Sequence, residues 1–307
     1  MILFLARAMS AVAFVLLAPN TYGAQQFSLA ITPVGAPIEI PSTLIKPDGE
    51  GPFPAVVMMH DCSGLGPRSS GAPLRWATEL VRQGYVVMVP DSFAPRGFAD
   101  GVCLIPGRQT TSVYGDVRAA DAYGALAALR ALPYVDAKRI GIMGGSHGGW
   151  TTLAAMYVPL DASDVLADAK KSGFAAAIAL YPACAPRYGA WSTSKRGYFG
   201  PVTGYSGVYE PIAPLLILIG EKDDWTPAEP CRRLAEASRA AGYPVNIKIY
   251  PDAHHAFDGN APVRYDGRRN NASSPSGFGA TIGGNAEAAE DAKKEVAEFF
   301  AKHLQPR

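Results

Sequence analysis

The sequence predicts an α/β fold, with a doubly wound, mostly parallel sheet and helices on both faces. Continuous apolar runs of strand length alternate along the chain with segments of helical length. Such runs are typical of strands that are covered on both faces. Turns rich in glycine and polar residues follow these runs, at the sheet edge where parallel sheets bind ligands.

The composition is that of a soluble globular protein. The chain has 307 residues, of which 48% are apolar and 18% are charged, and its formal net charge is +1. This length suffices for one large domain or two small ones. Because no repeat or linker divides the sequence, we expect one domain over residues 25–307. Without a run of lysine and arginine, binding to nucleic acid or to an anionic membrane surface is disfavoured.

Residues 1–24 resemble a secretory signal peptide. The segment is almost wholly apolar from Ile2 to Ala18, and small residues follow, with a cleavage site expected near Gly23 or Ala24. The apolar run is short for a membrane span. An uncleaved anchor and a buried helix are the alternatives. We therefore expect an exported protein, periplasmic or secreted, with no stable membrane span after the signal is removed.

Four cysteines lie in the part that remains after signal removal: Cys62, Cys103, Cys184 and Cys231. An even number of cysteines in an exported protein suggests two disulfides, and four cysteines allow three pairings. We favour Cys62 with Cys103 and Cys184 with Cys231, because each pair would join loops at the same end of the sheet. Four buried thiols are the alternative. The sequence has no C-x-x-C motif or histidine cluster that suggests zinc, and we expect no metal or other cofactor.

The first elements form one edge of the predicted sheet and its first buried strands. Apolar and polar residues alternate over 27–46, which predicts an antiparallel strand pair at the edge. Buried strands are predicted at 54–60 and 85–90. A helix over 73–83, closed by Gly84, lies between them.

The middle of the chain contains the segment around which the rest is arranged. A loop over 91–109 precedes a long predicted helix at 112–132. The strand at 140–143 then enters a glycine-rich turn, and a helix follows from about Gly148. The next buried strand is predicted at 174–180.

The second half of the chain supplies two more buried strands and two helices, at 214–219, 245–250, 228–241 and 286–303. Two stretches carry no regular pattern. Residues 181–213 are rich in tyrosine, proline and glycine, and we expect an irregular segment there. Residues 258–285 are expected to form an extended surface loop.

The glycine-rich turn matches the motif G-x-S-x-G at Gly144-Gly145-Ser146-His147-Gly148. In this motif a serine lies on a sharp turn between a strand and a helix, with its hydroxyl exposed above the sheet. Side chains flanking the serine would collide with the neighbouring strand and helix, which explains the glycines. The alternative is a tight turn with an incidental serine. The strand and helix on either side favour a nucleophile.

A serine nucleophile needs a base that takes its proton and an acid that holds the base. In hydrolases with this motif the chain order is serine, then aspartate or glutamate, then histidine. Asp223 and Asp224 follow the strand at 214–219, and Asp223 is the better placed of the two. His254 and His255 follow the last strand. Neighbouring side chains of an extended chain face opposite ways, so only one of these histidines can face Ser146.

Other residues near the predicted site have alternative roles. His60 precedes the serine in the chain and is expected to be a structural hydrogen-bonding residue. His147 follows the serine, and its backbone N–H is expected to matter more than its ring. Trp225, Tyr181 and Trp191 could line a substrate pocket or could pack within the fold around it.

Three motifs together resemble the dienelactone hydrolase family of the α/β-hydrolases: Gly-Gly-Ser-His-Gly-Gly, Gly-Glu-Lys-Asp-Asp-Trp-Thr-Pro and Tyr-Pro-Asp-Ala-His-His-Ala-Phe. The resemblance covers nearly the whole chain after residue 24. It implies an α/β-hydrolase fold in which Ser146 is the nucleophile, His255 the base and Asp223 the acid. It also implies an oxyanion hole made by the backbone N–H groups of His147 and of a residue in the loop after the first buried strand, at Cys62.

One departure from the family changes the expected substrate. The members that cleave dienelactone use a cysteine nucleophile, whereas this chain has Ser146. We therefore expect a broader carboxylic ester hydrolase that forms an acyl-enzyme from a small ester or lactone. Arg96 roughly matches an arginine that holds the substrate carboxylate in those members, although a structural salt bridge is equally consistent. Asp258 and Gly259 stand where the second such arginine would lie.

Two other functions remain open at this stage. One is a serine peptidase or amidase on the same fold, and the other is a non-catalytic exported binding protein. The sequence does not indicate an oligomeric state.

Overall fold

The computed structural model describes residues 15–20, 24–157, 169–170, 172–197 and 199–305. Its strands are β1 (Val15–Asn20), β2 (Ala24–Ile31), β3 (Ile40–Pro47), β4 (Phe53–Met59), β5 (Val86–Pro90), β6 (Val135–Gly145), β7 (Ala176–Leu180), β8 (Ser192–Lys195), β9 (Val202–Ser206), β10 (Leu215–Gly220), β11 (Val245–Tyr250), β12 (Arg264–Asn270) and β13 (Phe278–Ile282). Its α-helices are α1 (Ala72–Arg82), α2 (Gly115–Arg130), α3 (His147–Met156), α4 (Ala228–Ala240) and α5 (Ala286–Leu304). Short 3₁₀ turns lie at Ala94–Arg96, Gly107–Gln109 and Thr111–Val113.

Within the described residues, nine strands form one sheet in the order β1-β2-β3-β5-β4-β6-β7-β10-β11. The pairs from β5 to β11 are all parallel. The strands β1, β2 and β3 are antiparallel to one another, and β3 is antiparallel to β5. The strand order runs both ways from the β4–β6 centre, which is the doubly wound arrangement. The predicted fold class and its antiparallel edge are confirmed.

The core explains why the central strands are continuous apolar runs. Every residue of β5, β7 and β10 is buried, as expected for strands that are covered on both faces. The terminal helix α5 packs closely on β6. A Cβ at Gly141 would lie 2.9 Å from Leu304 and 3.0 Å from Phe300. This glycine therefore lets the helix approach the central strand.

The two segments predicted to be irregular contain β-hairpins, so those predictions were wrong. Residues 181–213 include the antiparallel pair β8–β9, and residues 258–285 include the pair β12–β13. Side-chain hydrogen bonds to backbone groups hold them. The indole of Trp191, 1% exposed, donates to the Cys184 carbonyl at 2.9 Å. The amide of Asn271 donates to the carbonyls of Asp224 and Gly279 at 3.0 and 2.6 Å.

The expected signal peptide lies largely outside the described residues. Residues 15–20 form β1, which pairs with β2 at the edge of the sheet. Cleavage near residue 23 or 24 would leave β2 as the edge strand. None of the described helices is long and apolar enough to cross a membrane.

Both expected disulfides are present. Cys62 pairs with Cys103, and Cys184 pairs with Cys231. The first joins the loop after β4 to the loop after β5. The second joins the segment after β7 to α4. Each therefore ties together segments at the carboxyl end of the sheet, as the sequence analysis expected.

Candidate active site

The turn between β6 and α3 holds Ser146 in a conformation that few non-glycine residues adopt. Its φ and ψ are 55° and −115°, a region that is occupied at functional sites when the surroundings enforce it. A Cβ at Gly144 would lie 2.5 Å from the Gly148 backbone, and a Cβ at Gly148 would lie 2.1 Å from the Met59 carbonyl oxygen. The Ser146 N–H donates to the Leu180 carbonyl at 2.9 Å. These contacts fix the turn that carries Ser146 at the carboxyl end of the sheet.

Three side chains from three strand ends form a continuous hydrogen-bonded chain. His255 Nε2 lies 2.8 Å from Ser146 Oγ, and His255 Nδ1 lies 2.8 Å from Asp223 Oδ2. The side chains of His255 and Asp223 are 2% and 0% exposed. A neutral imidazole with its proton on Nδ1 satisfies both contacts, because Nε2 then accepts from the serine hydroxyl. His254 is held elsewhere, with Nδ1 3.1 Å from the Lys222 carbonyl.

Thr226 fixes the carboxylate and the imidazole, and the sequence analysis did not single it out. Its hydroxyl oxygen lies 3.0 Å from Asp223 Oδ2, 3.0 Å from His255 Nδ1 and 3.0 Å from the Tyr181 carbonyl oxygen. The other carboxylate oxygen, Oδ1, accepts from the N–H groups of Trp225 and Thr226 at 2.9 and 2.8 Å. A threonine three residues after the aspartate was the sequence signal for this turn.

Asp224 faces away from the histidine and anchors the β12–β13 hairpin. Its two carboxylate oxygens accept from the N–H and the hydroxyl of Thr281, each at 2.7 Å. The structure thus gives different contacts to two adjacent aspartates, of which the residue pattern had favoured Asp223. Asp223 contacts His255, and Asp224 contacts the hairpin.

His147 and Cys62, whose backbone N–H groups were predicted to form the oxyanion hole, line the same cavity as Ser146. The N–H of His147 begins α3, and the first N–H groups of a helix have no acceptor within the helix. That of Cys62 is in the loop after β4. The Cys62 carbonyl accepts from the Val102 N–H at 2.7 Å, and its side chain is bonded to Cys103. Both contacts restrict how the Cys62 peptide can turn.

Arg118 contacts His147 and the loop that carries Cys62, and sequence reasoning missed it. Its side chain is fully buried. Nη1 donates to His147 Nδ1 at 2.7 Å, and Nη2 donates to the His60 carbonyl at 2.8 Å. Burial lowers the pKa of Arg118 to about 9, so the guanidinium is still charged at neutral pH. It joins the loop after β4 to the residue that follows the serine. An arginine in the alanine-rich first half of α2 was the sequence signal.

The two histidines beside Arg118 are neutral. Burial, reinforced by the charge of Arg118, lowers the pKa values of His60 and His147 well below the ordinary range. His60 Nδ1 donates to the Asp61 carbonyl at 2.8 Å, and Nε2 accepts from the Ser92 N–H at 3.2 Å. This is the structural hydrogen-bonding role expected for His60.

The candidate substrate-binding residues differ in where they lie. Arg96 is in a two-bond ion pair with Asp121, both contacts at 2.8 Å, and is not among the described residues that line the cleft. The Tyr181 hydroxyl donates to Asp258 Oδ1 at 2.8 Å. Burial, and next the charge of Asp258, raise the pKa of Tyr181 well above its usual value. Tyr181 and Trp225 both line the cleft. Trp191 is buried below it.

The cleft consists of two cavities that meet at Ser146. Their volumes are about 720 and 780 Å³, within the range of small-molecule sites. The first cavity, beside His255, is lined by charged side chains, among them Arg68, Arg75, Arg264, Arg268, Arg269, Asp61, Asp100, Asp258 and Asp266. Among the described residues, six aromatic and five proline side chains contribute to the lining of the second, beside His147. The β12–β13 hairpin borders both cavities, and the β8–β9 hairpin borders the second.

Comparison with known proteins yields a family and several relatives. The family model described as the dienelactone hydrolase family matches residues 40–304. A Yersinia pestis protein that bears the name "Putative carboxymethylenebutenolidase" is 24% identical over 278 residues, which cover 86% of this chain and 84% of that protein. Esterase 2 of Thermogutta terrifontis, in a structure titled as phosphoramylated by tabun, aligns with a TM-score of 0.59 at 19% identity. That alignment covers 94% of this chain and 98% of the esterase.

A peptidase is also similar to the chain. Dipeptidyl-peptidase 5 of Porphyromonas gingivalis is 26% identical over 227 residues, which cover 66% of this chain and 30% of the peptidase. The chain therefore matches a minor part of that protein.

Proposed function

Because the chain belongs to the dienelactone hydrolase family, we propose that it hydrolyses carboxylic esters through a triad of Ser146, His255 and Asp223. The protein is a serine hydrolase with an α/β-hydrolase fold. The observation that carries the proposal is the pair of 2.8 Å contacts that link serine to imidazole and imidazole to carboxylate. The substrate is a small ester or lactone, and the reaction passes through an acyl-enzyme.

In the first half of the reaction, Ser146 Oγ attacks the carbonyl carbon while its proton moves to His255 Nε2. Asp223 holds the imidazole in the required tautomer and stabilises the imidazolium. The N–H groups of Cys62 and His147 bind the oxygen that becomes negative, and loss of one such donor costs about 3 kcal/mol in comparable sites. The imidazolium then protonates the leaving alcohol oxygen, and the acyl group stays on Ser146.

In the second half, a water molecule attacks the acyl carbonyl and gives its proton to His255. The same two N–H groups bind the second oxyanion. The bond to Ser146 Oγ then breaks, the imidazolium returns the proton to the serine, and the carboxylic acid leaves. The net reaction is ester plus water to acid plus alcohol.

Replacement of the nucleophile tests the proposal. With p-nitrophenyl acetate as substrate, we expect Ser146→Ala to lower kcat by a factor of about 10⁶, since the triad acts as a unit. The variant should also lose labelling by a fluorophosphonate probe. Ser206→Ala, which changes an exposed serine outside the cleft, is the matched control and should match wild type. Equal turnover by wild type and Ser146→Ala would reject the assignment.

Amide hydrolysis is the second candidate, favoured by the similarity to a dipeptidyl-peptidase. The same triad can cleave either bond, because the imidazolium protonates a leaving amine as it does an alcohol. Rates on p-nitroacetanilide and p-nitrophenyl acetate separate the two functions. We expect the ester to be the far better substrate, and a better rate on the anilide would favour the peptidase. A chain that turns over neither and resists the fluorophosphonate would be a binding protein.

We further propose that residues 1–24 direct export and that 25–307 form one domain that acts in the periplasm or outside the cell. The two disulfides support this placement, because such bonds persist in oxidising compartments. Sequencing the amino terminus of the protein recovered from its native compartment tests the proposal. A retained Met1 would contradict it.

A further inference from the structure

We propose that the second cavity binds the acyl half of the ester and that this acyl group carries an aromatic ring. The inference rests on the proposed ester hydrolysis and adds a substrate class to it. It comes from the different linings of the two cavities and from the place of the two histidines at their junction.

The position of His255 assigns a half of the substrate to each cavity. Its imidazole must hand a proton to the leaving alcohol oxygen, so the alcohol half lies on its side of Ser146. His255 lines the first cavity and is not among the residues of the second. His147, whose N–H faces the oxyanion, lines the second cavity. The acyl half lies on the other side of the carbonyl carbon from the leaving oxygen. It therefore enters the second cavity.

The lining of the second cavity is suited to a flat apolar group. Six aromatic side chains line it within the described part of the chain: Tyr114, Trp150, Phe199, Tyr205, Trp225 and Phe278. Aromatic rings attract one another in offset or edge-to-face contact beyond the effect of buried area. Phe199 and Phe278 are 42% and 45% exposed. Large exposed apolar side chains that rim a concave site are typical of a ligand-binding surface.

The walls of the second cavity are held in place before any substrate binds. Five prolines line it, and each fixes its own φ. The Cys184–Cys231 disulfide ties the segment after β7 to α4 at this wall. Tyr205 is stacked on the buried Trp191, with ring centroids 5.9 Å apart. A prearranged wall of this kind loses little side-chain freedom on binding, which favours a rigid ring over a flexible chain.

The lining of the first cavity is less suited to an aromatic ring. Among the described residues, nine charged side chains line the first cavity and two line the second, and the aromatic residues of the first are Tyr181 and Trp225. Asp266 there pairs with Arg268 and Arg269 at 3.0 and 3.2 Å. A polar alcohol group fits this side, whereas an apolar ring would displace water from charged groups without replacing their hydrogen bonds.

Four esters with unactivated alkyl leaving groups test the assignment. Ethyl acetate is the reference, and ethyl 3-phenylpropanoate adds a ring to the acyl half. Ethyl 3-cyclohexylpropanoate has the same carbon skeleton with a saturated ring. The ring of 2-phenylethyl acetate is on the alcohol half. We expect kcat/KM for the phenylpropanoate to exceed that of each other ester by about tenfold, the scale of one or two favourable ring contacts.

Wall variants locate the preference in the second cavity. Tyr205→Ala and Phe278→Ala should each lower the ratio of kcat/KM for phenylpropanoate over acetate severalfold. Tyr205→Phe keeps the ring and should keep the ratio. Tyr265→Ala is the control, because Tyr265 is on the same hairpin as Phe278, is 68% exposed and lines neither cavity. It should behave as wild type.

Three results would overturn this proposal and leave ester hydrolysis intact. They are equal rates on the phenyl and cyclohexyl esters, a preference for the ring on the alcohol half, and wall variants that keep the wild-type ratio while acetate is still turned over. No turnover of any ester, together with no labelling of Ser146 by the fluorophosphonate, would instead overturn the proposed function and this inference with it.

Discussion

The floor of the cleft and its walls are built in different ways. The floor consists of the turns after β6, β10 and β11, where Ser146, Asp223 and His255 are buried and hydrogen-bonded to one another. The walls are the β8–β9 and β12–β13 hairpins, which present half-exposed rings such as Phe199 and Phe278. The difference indicates that one set of elements contacts the scissile ester bond and another set contacts the acyl and alcohol groups beside it. Changes in the floor should therefore alter kcat, and changes in the walls should alter selectivity or KM.

After replacement of Ser146, the largest effect is expected at the acid of the proposed triad. Asp223→Asn keeps the shape of the side chain and removes the charge that holds the imidazole tautomer, so kcat should fall by about 10⁴. Asp224→Asn is the control, since Asp224 contacts Thr281 on the hairpin and not His255. Its kcat should be that of wild type. Comparable losses of kcat in the two variants would show that the contact of Asp224 with the hairpin is as important for catalysis as the contact of Asp223 with His255.

Arg118 should give the next largest effect, as a positioning residue that fixes the two proposed oxyanion donors relative to each other. We expect Arg118→Met to lower kcat by about 10²-fold, near the lower end of the effect of losing a donor, with a smaller change in KM. Affinity for a boronic acid that mimics the tetrahedral oxyanion should fall in parallel. Arg118→Lys can reach only one of its partners, His147 or the His60 carbonyl, and should be intermediate.

The control for Arg118 is on the same helix. Arg130 is at the opposite end of α2 from Arg118, and its guanidinium donates hydrogen bonds to the carbonyls of Ser172 and Gly173. Arg130→Met should keep both kcat and boronic acid affinity. An Arg118→Met variant that is merely less stable, with wild-type kcat at a temperature where it is folded, would exclude the positioning role.

Removing either disulfide should lower the free energy of unfolding by nearly the same amount, so the effects of the two removals on kcat can be compared directly. They close loops with sequence separations of 41 and 47 residues, and loop-closure entropy assigns each about 4 kcal/mol. The double variants Cys62→Ala/Cys103→Ala and Cys184→Ala/Cys231→Ala should therefore unfold at similarly reduced temperatures. Only the first frees the peptide that carries the Cys62 N–H, so we expect about a tenfold loss of kcat on ethyl acetate there and wild-type kcat in the second. Equal kcat in both would show that the Cys62–Cys103 disulfide does not position the N–H of residue 62.

The floor was largely predictable from the sequence, and the walls were not. The apolar runs of β4, β6 and β10 and the glycines around Ser146 are local signals, because burial on both faces and a tight turn each demand particular residue types. The residue pattern already favoured Asp223 over Asp224, and the resemblance to a family agreed with it. The choice of His255 over His254 came from that resemblance alone, since the direction of a side chain at the end of a strand depends on the turn that follows.

The hairpins carry no comparable signal. The sequence of β8 is Ser-Thr-Ser-Lys, and that of β12 is Arg-Tyr-Asp-Gly-Arg-Arg-Asn. Neither alternates apolar and polar residues, because neither strand covers a core. The side chains of Trp191 and Asn271 hold these segments through hydrogen bonds to backbone carbonyls. Neither bond can be predicted from the local sequence, because the donor and the acceptor approach each other only on folding. The role of Arg118 likewise depends on how α2 packs below the loop after β4.

The smallest effect should come from the junction of floor and wall, at Asp224. Its carboxylate accepts two bonds from Thr281 of β13, while its neighbour Asp223 serves the triad. Asp224→Ala removes both bonds at an exposed site, where a hydrogen bond contributes about 1 kcal/mol. We expect KM for ethyl 3-phenylpropanoate to rise about threefold, because the hairpin that carries Phe278 loosens, with kcat unchanged. Thr281→Val removes one of the two bonds and should raise KM less, whereas a fall in kcat in either variant would mean that the hairpin also supports the triad.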